Sequence, residues 1–292
     1  MMQILLEPFT YQYMVNAMLL TALIGAVCGF LSAFLILRGW ALIADALSHA
    51  TVPGVALAYS LGLPFALGAF VSGALAAAAI LFIRQRSVLK EDVVIGITFT
   101  SFFAAGLFML SVSPSAVDIQ QILMGNVLAI APQDSFQMVI ISIATLAFLL
   151  VFWKELRLVF FDHQHAWIAG INPKFFHIAF FACLSATILA ALQAVGALLV
   201  IAVVVIPGAC AYLCSDKFEQ IIKLSVAIGA STSFVGCYVS YFIDGVTGAI
   251  IVLLQSSCFV IALLFAPKKG LLASAKQRKK AKLSMDIAAE GV

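Results

Sequence analysis

Charge is what this sequence has least of. Asp, Glu, Lys and Arg supply only 10% of its 292 residues, against about a quarter in soluble globular proteins. Hydrophobic residues supply 64%, and mean hydropathy is +1.15. A soluble globular fold is excluded and a polytopic membrane protein is implied. Catalytic signatures are missing too. There is no G-x-x-x-x-G-K-[ST] phosphate loop, so the chain does not by itself cradle ATP in the usual way. HExxH and GxSxG are absent, which argues against a zinc protease or a serine hydrolase. No enzyme activity is expected of the chain. The cysteines at 28, 183, 210, 214, 237 and 258 include no CxxC spacing and lie in apolar runs, so no structural disulfide is expected. Cys210 and Cys214 share a helix face and can bind a soft metal. Small apolar residues packing a helix are the simpler account of them.

What is present is a series of long apolar runs. A bilayer core takes about 20 apolar residues per helical span, and by that measure the segments are roughly 15–37, 41–61, 64–83, 93–112, 135–153, 174–193, 195–214, 221–243 and 247–265. Helix is the expected state, because lipid offers no partner for open backbone groups and the runs are too long for barrel strands. The fold class expected is therefore an all-α polytopic membrane helix bundle of about nine segments, or eight if a weak one is re-entrant.

Basic residues orient the bundle. With the N-terminus outside and nine crossings, Arg38, Arg84, Arg86, Lys90, Lys154, Arg157, Lys174, Lys217, Lys223 and the tail from Lys268 to Lys282 all fall in the cytoplasm, whereas Glu7, Asp118, Asp134 and Asp244 fall outside. The first segment lacks an n-region and a cleavage site and reads as a retained span. Residues 1–267 read as one transmembrane domain and 268–292 as a disordered basic tail. Its cluster KQRKKAK (276–282) suits anionic membrane lipid, and nucleic acid is not expected as a partner.

Within the second segment, LIADALSHATVPGVALAYS (42–60) carries two ionisable residues and a Pro-Gly pair. Asp45 and His49 are four residues apart and share a helix face. Counted from Arg38, they lie in the inner half of the membrane, where an ionisable residue is a functional hypothesis by default. One oxygen and one nitrogen donor can approach a single ion. Two copies of the chain about a central axis would supply two of each, a set suited to Mn, Fe or Zn. Calcium would take mostly oxygens and Cu(I) would take sulfur. The other reading is that Asp45 bonds a neighbouring backbone and His49 is a satisfied core group.

Pro53-Gly54 should break the same helix and free carbonyls that line a cavity. A second such pattern, Pro207-Gly208 in VVIPGACAY (204–212), resembles ATVPGVALAY (50–59). Broken segments in the two halves of a transporter point toward a pathway. The longest cytoplasmic polar insertion, KELRLVFFDHQHAWIAGINPK (154–174), suits a docking element closed by Gly170, and its His163 and His165 read as solvated loop histidines.

Four ordered stretches, DALSHATVPG (45–54), FFDHQHAWIAGI (160–171), VGALLVIAVVVIPGACA (195–211) and GCYVSYFIDGVTGAIIVL (236–253), resemble the permease subunits of bacterial ABC importers for manganese, zinc and iron. The resemblance runs from about residue 10 to about 266. It implies an importer permease of the metal-chelate type in the bacterial cytoplasmic membrane, paired with a second copy or a sister permease. It further implies docking on separate ABC ATPase subunits and supply by an extracytoplasmic metal-binding protein. Asp45 and His49 would be the intramembrane metal ligands, for a divalent metal that is substrate and not a resident cofactor. Phe161, Asp162, His165, Ala166 and Gly170 would belong to the loop that couples to the ATPase. Two departures stand out: His163-Gln164 replaces the family's common Pro-Glu after Phe-Asp, and Val246 stands where a proline often follows Asp244. The mechanism implied is alternating access.

Readings from other classes are a secondary proton-coupled metal transporter with Asp45 as proton carrier, and an ABC permease for a siderophore or cobalamin. A purely structural scaffold leaves the broken helix and the polar loop unexplained.

Overall fold

In lipid a backbone must satisfy itself, and this chain does so by helices alone. The computed structural model describes residues 2–63, 65–112, 130–196, 199–266 and 269–272, and every regular element among them is helical. In chain order these are α1 (Met2–Thr10), α2 (Gln12–Arg38), α3 (Ala41–Ala50), α4 (Val52–Leu61), α5 (Phe65–Arg86), α6 (Glu91–Val112), α7 (Pro132–Phe161), α8 (His163–Ile168), α9 (Pro173–Val195), α10 (Val200–Cys214), α11 (Phe218–Ile243) and α12 (Thr247–Phe265). The short helix α1 has no counterpart among the expected segments. Asp118 and the basic cluster 276–282 lie outside the described residues.

The centre of the bundle is α2, pressed against α11 and α10. Small residues allow it. A Cβ on Gly25 would strike Gly229 and Ser233, and one on Gly29 would strike the Ser225 backbone. The Ser225 hydroxyl donates to the Gly29 carbonyl at 2.5 Å. Small residues four apart on both helices let the backbones approach, which in lipid replaces the missing hydrophobic drive between helices. Below this seam, Phe34 packs edge-on against Phe160, Phe180 and Phe218.

Eight helices, counting Ala41–Leu61 as one, have the length and apolar composition of a span, whereas α10 has only 15 residues, about 22 Å of helix. That is short of the about 30 Å hydrocarbon core. Its place beside α12 is defined by what its ends touch. At its start, Gly248 of α12 lies against the Val195 backbone. At its finish, Asp216 ion-pairs with Lys269 beyond the far end of α12, at 3.1 Å. The backbone opens at Gly196, to φ 91 and ψ 158, before α10 begins. The described residues thus hold eight apolar helices of span length and one shorter apolar helix, α10, beside α12.

One boundary differs from the expectation. The segment expected to end at 153 continues as helix to Phe161, bent at Phe152 (φ −106, ψ 17). No breaker stands between Trp153 and Asp162, and Leu156, Val159 and Phe160 bury one face, so the periodicity sustains the helix. The polar insertion is shortened to Asp162–Asn172.

Candidate functional site

The second passage is split. α3 ends at Ala50 and α4 starts at Val52, with Thr51 between them. Pro53 has no N–H to give the His49 carbonyl four residues earlier. Hydroxyls take up neighbouring groups: Thr51 Oγ1 donates to the Ser48 carbonyl at 2.6 Å, and Ser72 Oγ of α5 donates to the Ala50 carbonyl at 2.5 Å. The split is clamped by close approach. A Cβ on Gly54 would strike the Gly68 carbonyl, and one on Gly106 would strike Val52 and Pro53. Glycines on α5 and α6 thus hold the Pro-Gly corner from two sides.

Asp45 and His49 sit on α3, just before that corner. His49 Nε2 lies 3.6 Å from Asp45 Oδ1, with side chains 18% and 35% exposed respectively. This is too long for a hydrogen bond, so neither donor atom is consumed by the other. An ion about 2.1 Å from each atom bridges any separation up to about 4.2 Å, and the observed one falls within reach. The imidazole is fixed by Phe99 and Phe103 of α6, edge-on with ring centroids 5.2 and 5.4 Å away. These two phenylalanines stack on each other. Among the described residues, no cluster of three or more His, Cys, Asp or Glu is placed to hold a metal. One chain therefore supplies two donors. Their partial exposure leaves them open to a second contributor.

The other expected residues fall elsewhere. Pro53 and Gly54 border a recess of about 510 Å³ between α4, α5 and α6, lined by apolar side chains such as Leu57, Leu67, Val71 and Met109. Neither Asp45 nor His49 lines it. The second Pro-Gly pair does not break its helix, contrary to the expectation: α10 runs unbroken through Pro207. The reason is Ser32 of α2. Its hydroxyl donates to the Val205 carbonyl at 3.0 Å and accepts from the Gly208 N–H at 2.8 Å. Ser32 thereby stitches the proline turn, and Gly208 permits the contact because a Cβ would strike the Ser32 backbone.

In the polar insertion, Asp162 caps α8, its Oδ1 accepting from the His165 N–H at 2.9 Å. Ala166 is buried, while Trp167 and Ile168 are 75% and 83% exposed. Gly170 turns the chain in the left-handed region at φ 74, a conformation open to glycine at no steric cost. The Ile171 N–H donates to the Ala166 carbonyl, closing the turn. Phe161, half exposed, touches Phe218 at the start of α11. The result is a short capped helix presenting two large apolar side chains. The residues that sequence reading passed over are Phe99 and Phe103, although their i,i+4 spacing in ITFTSFFAAG (97–106) was a legible sign of one face.

Comparisons with known proteins agree among themselves. The sequence profile of the ABC 3 transport family matches residues 10–266. A Haemophilus influenzae protein named probable iron transport system membrane protein is 54% identical over 277 residues, 95% of this chain and 98% of that one. The manganese transport system membrane protein MntB of Synechocystis is 44% identical over 269 residues, 92% of this chain and 88% of that one. The solved structure of PsaBC from Streptococcus pneumoniae in complex with Fab superposes with a TM-score of 0.82 at 36% identity, covering 92% of this chain and 98% of that chain.

Proposed function

This chain belongs to the ABC 3 transport family, and from that premise we propose that it is the membrane-spanning subunit of an ATP-driven importer of a divalent transition metal. Manganese or iron is the first expectation, since relatives named for each cover nearly the whole chain, and zinc is compatible with the same donors. The chain is a transport subunit and not an enzyme; ATP is hydrolysed by separate subunits. A secondary proton-coupled transporter and a siderophore or cobalamin permease are the less favoured readings.

The observation that carries the site is the Asp45–His49 pair, two metal-donor atoms 3.6 Å apart on a membrane-embedded helix and bonded to no common hydrogen. A second copy of the chain, or a sister permease, completes the coordination with its own pair. An extracytoplasmic binding protein hands over the ion, and α8 docks on the ATPase through Trp167 and Ile168. Closure of the ATPases then moves α8 and opens the cytoplasmic side. Pro53 and Gly54 shape the α3–α4 corner behind the donors, and Pro207 and Gly208 hold α10 on α2. Residues 1–267 form the permease domain, with the N-terminus outside and the C-terminus in the cytoplasm, and 268–292 form a basic tail on anionic lipid.

The test is uptake of radioactive Mn, Fe and Zn by cells carrying the intact transporter, comparing wild type with Asp45→Ala and His49→Ala at matched membrane levels. Loss of uptake in both variants is expected and identifies the substrate. Undiminished uptake in both refutes the assignment.

A further inference from the structure

At the end of the bundle that carries the basic residues, a cleft of about 710 Å³ opens between α2, α5, α7 and α9. Arg38, Arg84, Lys174 and His177 face it together with Leu81 and Ile178. Both guanidiniums lie over one indole: Arg38 is 5.2 Å and Arg84 5.6 Å from the Trp40 ring centroid. Trp40 is 1% exposed and locked between Phe160 and Phe181, so the platform is preformed. Opposing charge is scarce. Arg84 pairs with Glu91, whereas Arg38 Nε is buried with no hydrogen-bond partner among the described residues. The His177 Nδ1–H is engaged by the Pro173 carbonyl at 2.8 Å. The N-terminus of α9, capped by Asn172, adds the positive end of a 23-residue helix beside Lys174. Three cations and a helix N-terminus line the cleft, among the described residues Glu91 is the carboxylate paired there, and none of them serves the Asp45–His49 site.

We propose that this cleft binds the phosphate of an anionic phospholipid headgroup. Basic pockets between membrane helices at the cytoplasmic surface suit such groups, and paired guanidiniums match phosphate oxygens. The chemistry alone would fit a free phosphate as well. Apolar neighbours favour the lipid: Leu81 lies three residues deeper than Arg84 on α5, and Ile178, 63% exposed, lies four deeper than Lys174 on α9. Each helix thus offers a cation at headgroup level and an apolar side chain one turn further into the bilayer, where an acyl chain runs.

The experiment is lipid binding to the full chain purified in neutral detergent, read by native mass spectrometry with phosphatidylglycerol, phosphatidylcholine and inorganic phosphate as probes. Phosphatidylglycerol is expected to bind more tightly than phosphatidylcholine. Lys174→Gln and Arg38→Gln should each weaken it about fivefold, roughly the worth of one basic residue near a membrane surface, while Lys223→Gln leaves it unchanged. Lys174 is exposed, so its variant tests the cleft even where Arg38→Gln impairs folding. Failure of millimolar phosphate to displace the lipid supports a headgroup with its chain, and displacement supports the phosphate site with a soluble anion as its source. Equal binding of both lipids, unaffected by either variant, overturns the proposal. So does loss of ATPase co-purification in Lys174→Gln with lipid binding intact, which assigns the cleft to a protein carboxylate.

Discussion

Gly54 and Gly68 lie backbone against backbone, so that a methyl group on either would strike the carbonyl oxygen of the other. The α4–α5 contact cannot widen without moving Pro53-Gly54, which follows His49 by one helical turn in the chain. Gly68→Ala should therefore act on the site from a distance. Overpacking typically costs about 1–3 kcal/mol, read as a lowered thermal midpoint in detergent, with metal uptake falling alongside it. Gly96→Ala, with open space around its Cβ position, should leave both readouts unchanged.

The phenylalanine pair that brackets His49 predicts a positioning effect. Phe99→Ala removes one of two edge contacts to the imidazole and frees the ring to rotate. By analogy with residues that orient metal ligands, affinity for the transported ion should fall about tenfold or more. A raised half-saturation for uptake with an unchanged maximal rate is the expected signature, and Phe99→Tyr should restore most of it.

On α8, exposure and capping make separable predictions. Trp167→Ala leaves the fold intact, because the side chain is 75% exposed, but should sharply reduce ATPase co-purification, as truncation of an aromatic anchor costs about 2 kcal/mol or more. Asp162→Ala removes the cap on α8, worth about 1 kcal/mol, and should weaken the same association less. Equal retention of the ATPase by both variants would remove α8 from the interface.

Ser32→Ala should be costly for so small a change. It takes away both the donor to Val205 and the acceptor for Gly208, two hydrogen bonds between α2 and α10 worth about 1 kcal/mol each. The expected outcome is a lower thermal midpoint, while Ser257→Ala on the open face of α12 has little effect.

The expectation of nine crossings with the N-terminus outside can be tested directly by labelling. Lys217→Cys in a cysteine-free background should react with an impermeant maleimide only in inside-out vesicles, and Gly245→Cys only in intact spheroplasts. Labelling of both from the same side would mean that α11 does not cross.

The sequence by itself determined the solvent, the helical class and the axis of the protein. A chain with 10% charged residues and apolar runs of span length has only helices available to it in lipid, and the basic residues mark one end. Asp45 and His49 were legible as a pair because helical spacing alone puts positions four apart on one face. What the sequence could not determine was anything set by contacts between distant residues. Pro53 and Pro207 look alike in the chain, yet one stands at a split helix and the other lies in a continuous one, because Ser32 reaches Gly208 from α2 while Pro53 meets α5 and α6 through glycines. The run at 195–214 was legible as apolar, but α10 itself has 15 residues, and its place beside α12 is defined by what its ends touch, Gly248 against Val195 and Lys269 on Asp216. The gathering of Arg38, Arg84 and Lys174 is likewise invisible in a chain that spaces them tens of residues apart. Local periodicity is written into the chain residue by residue, but which faces meet is decided only when the whole bundle packs.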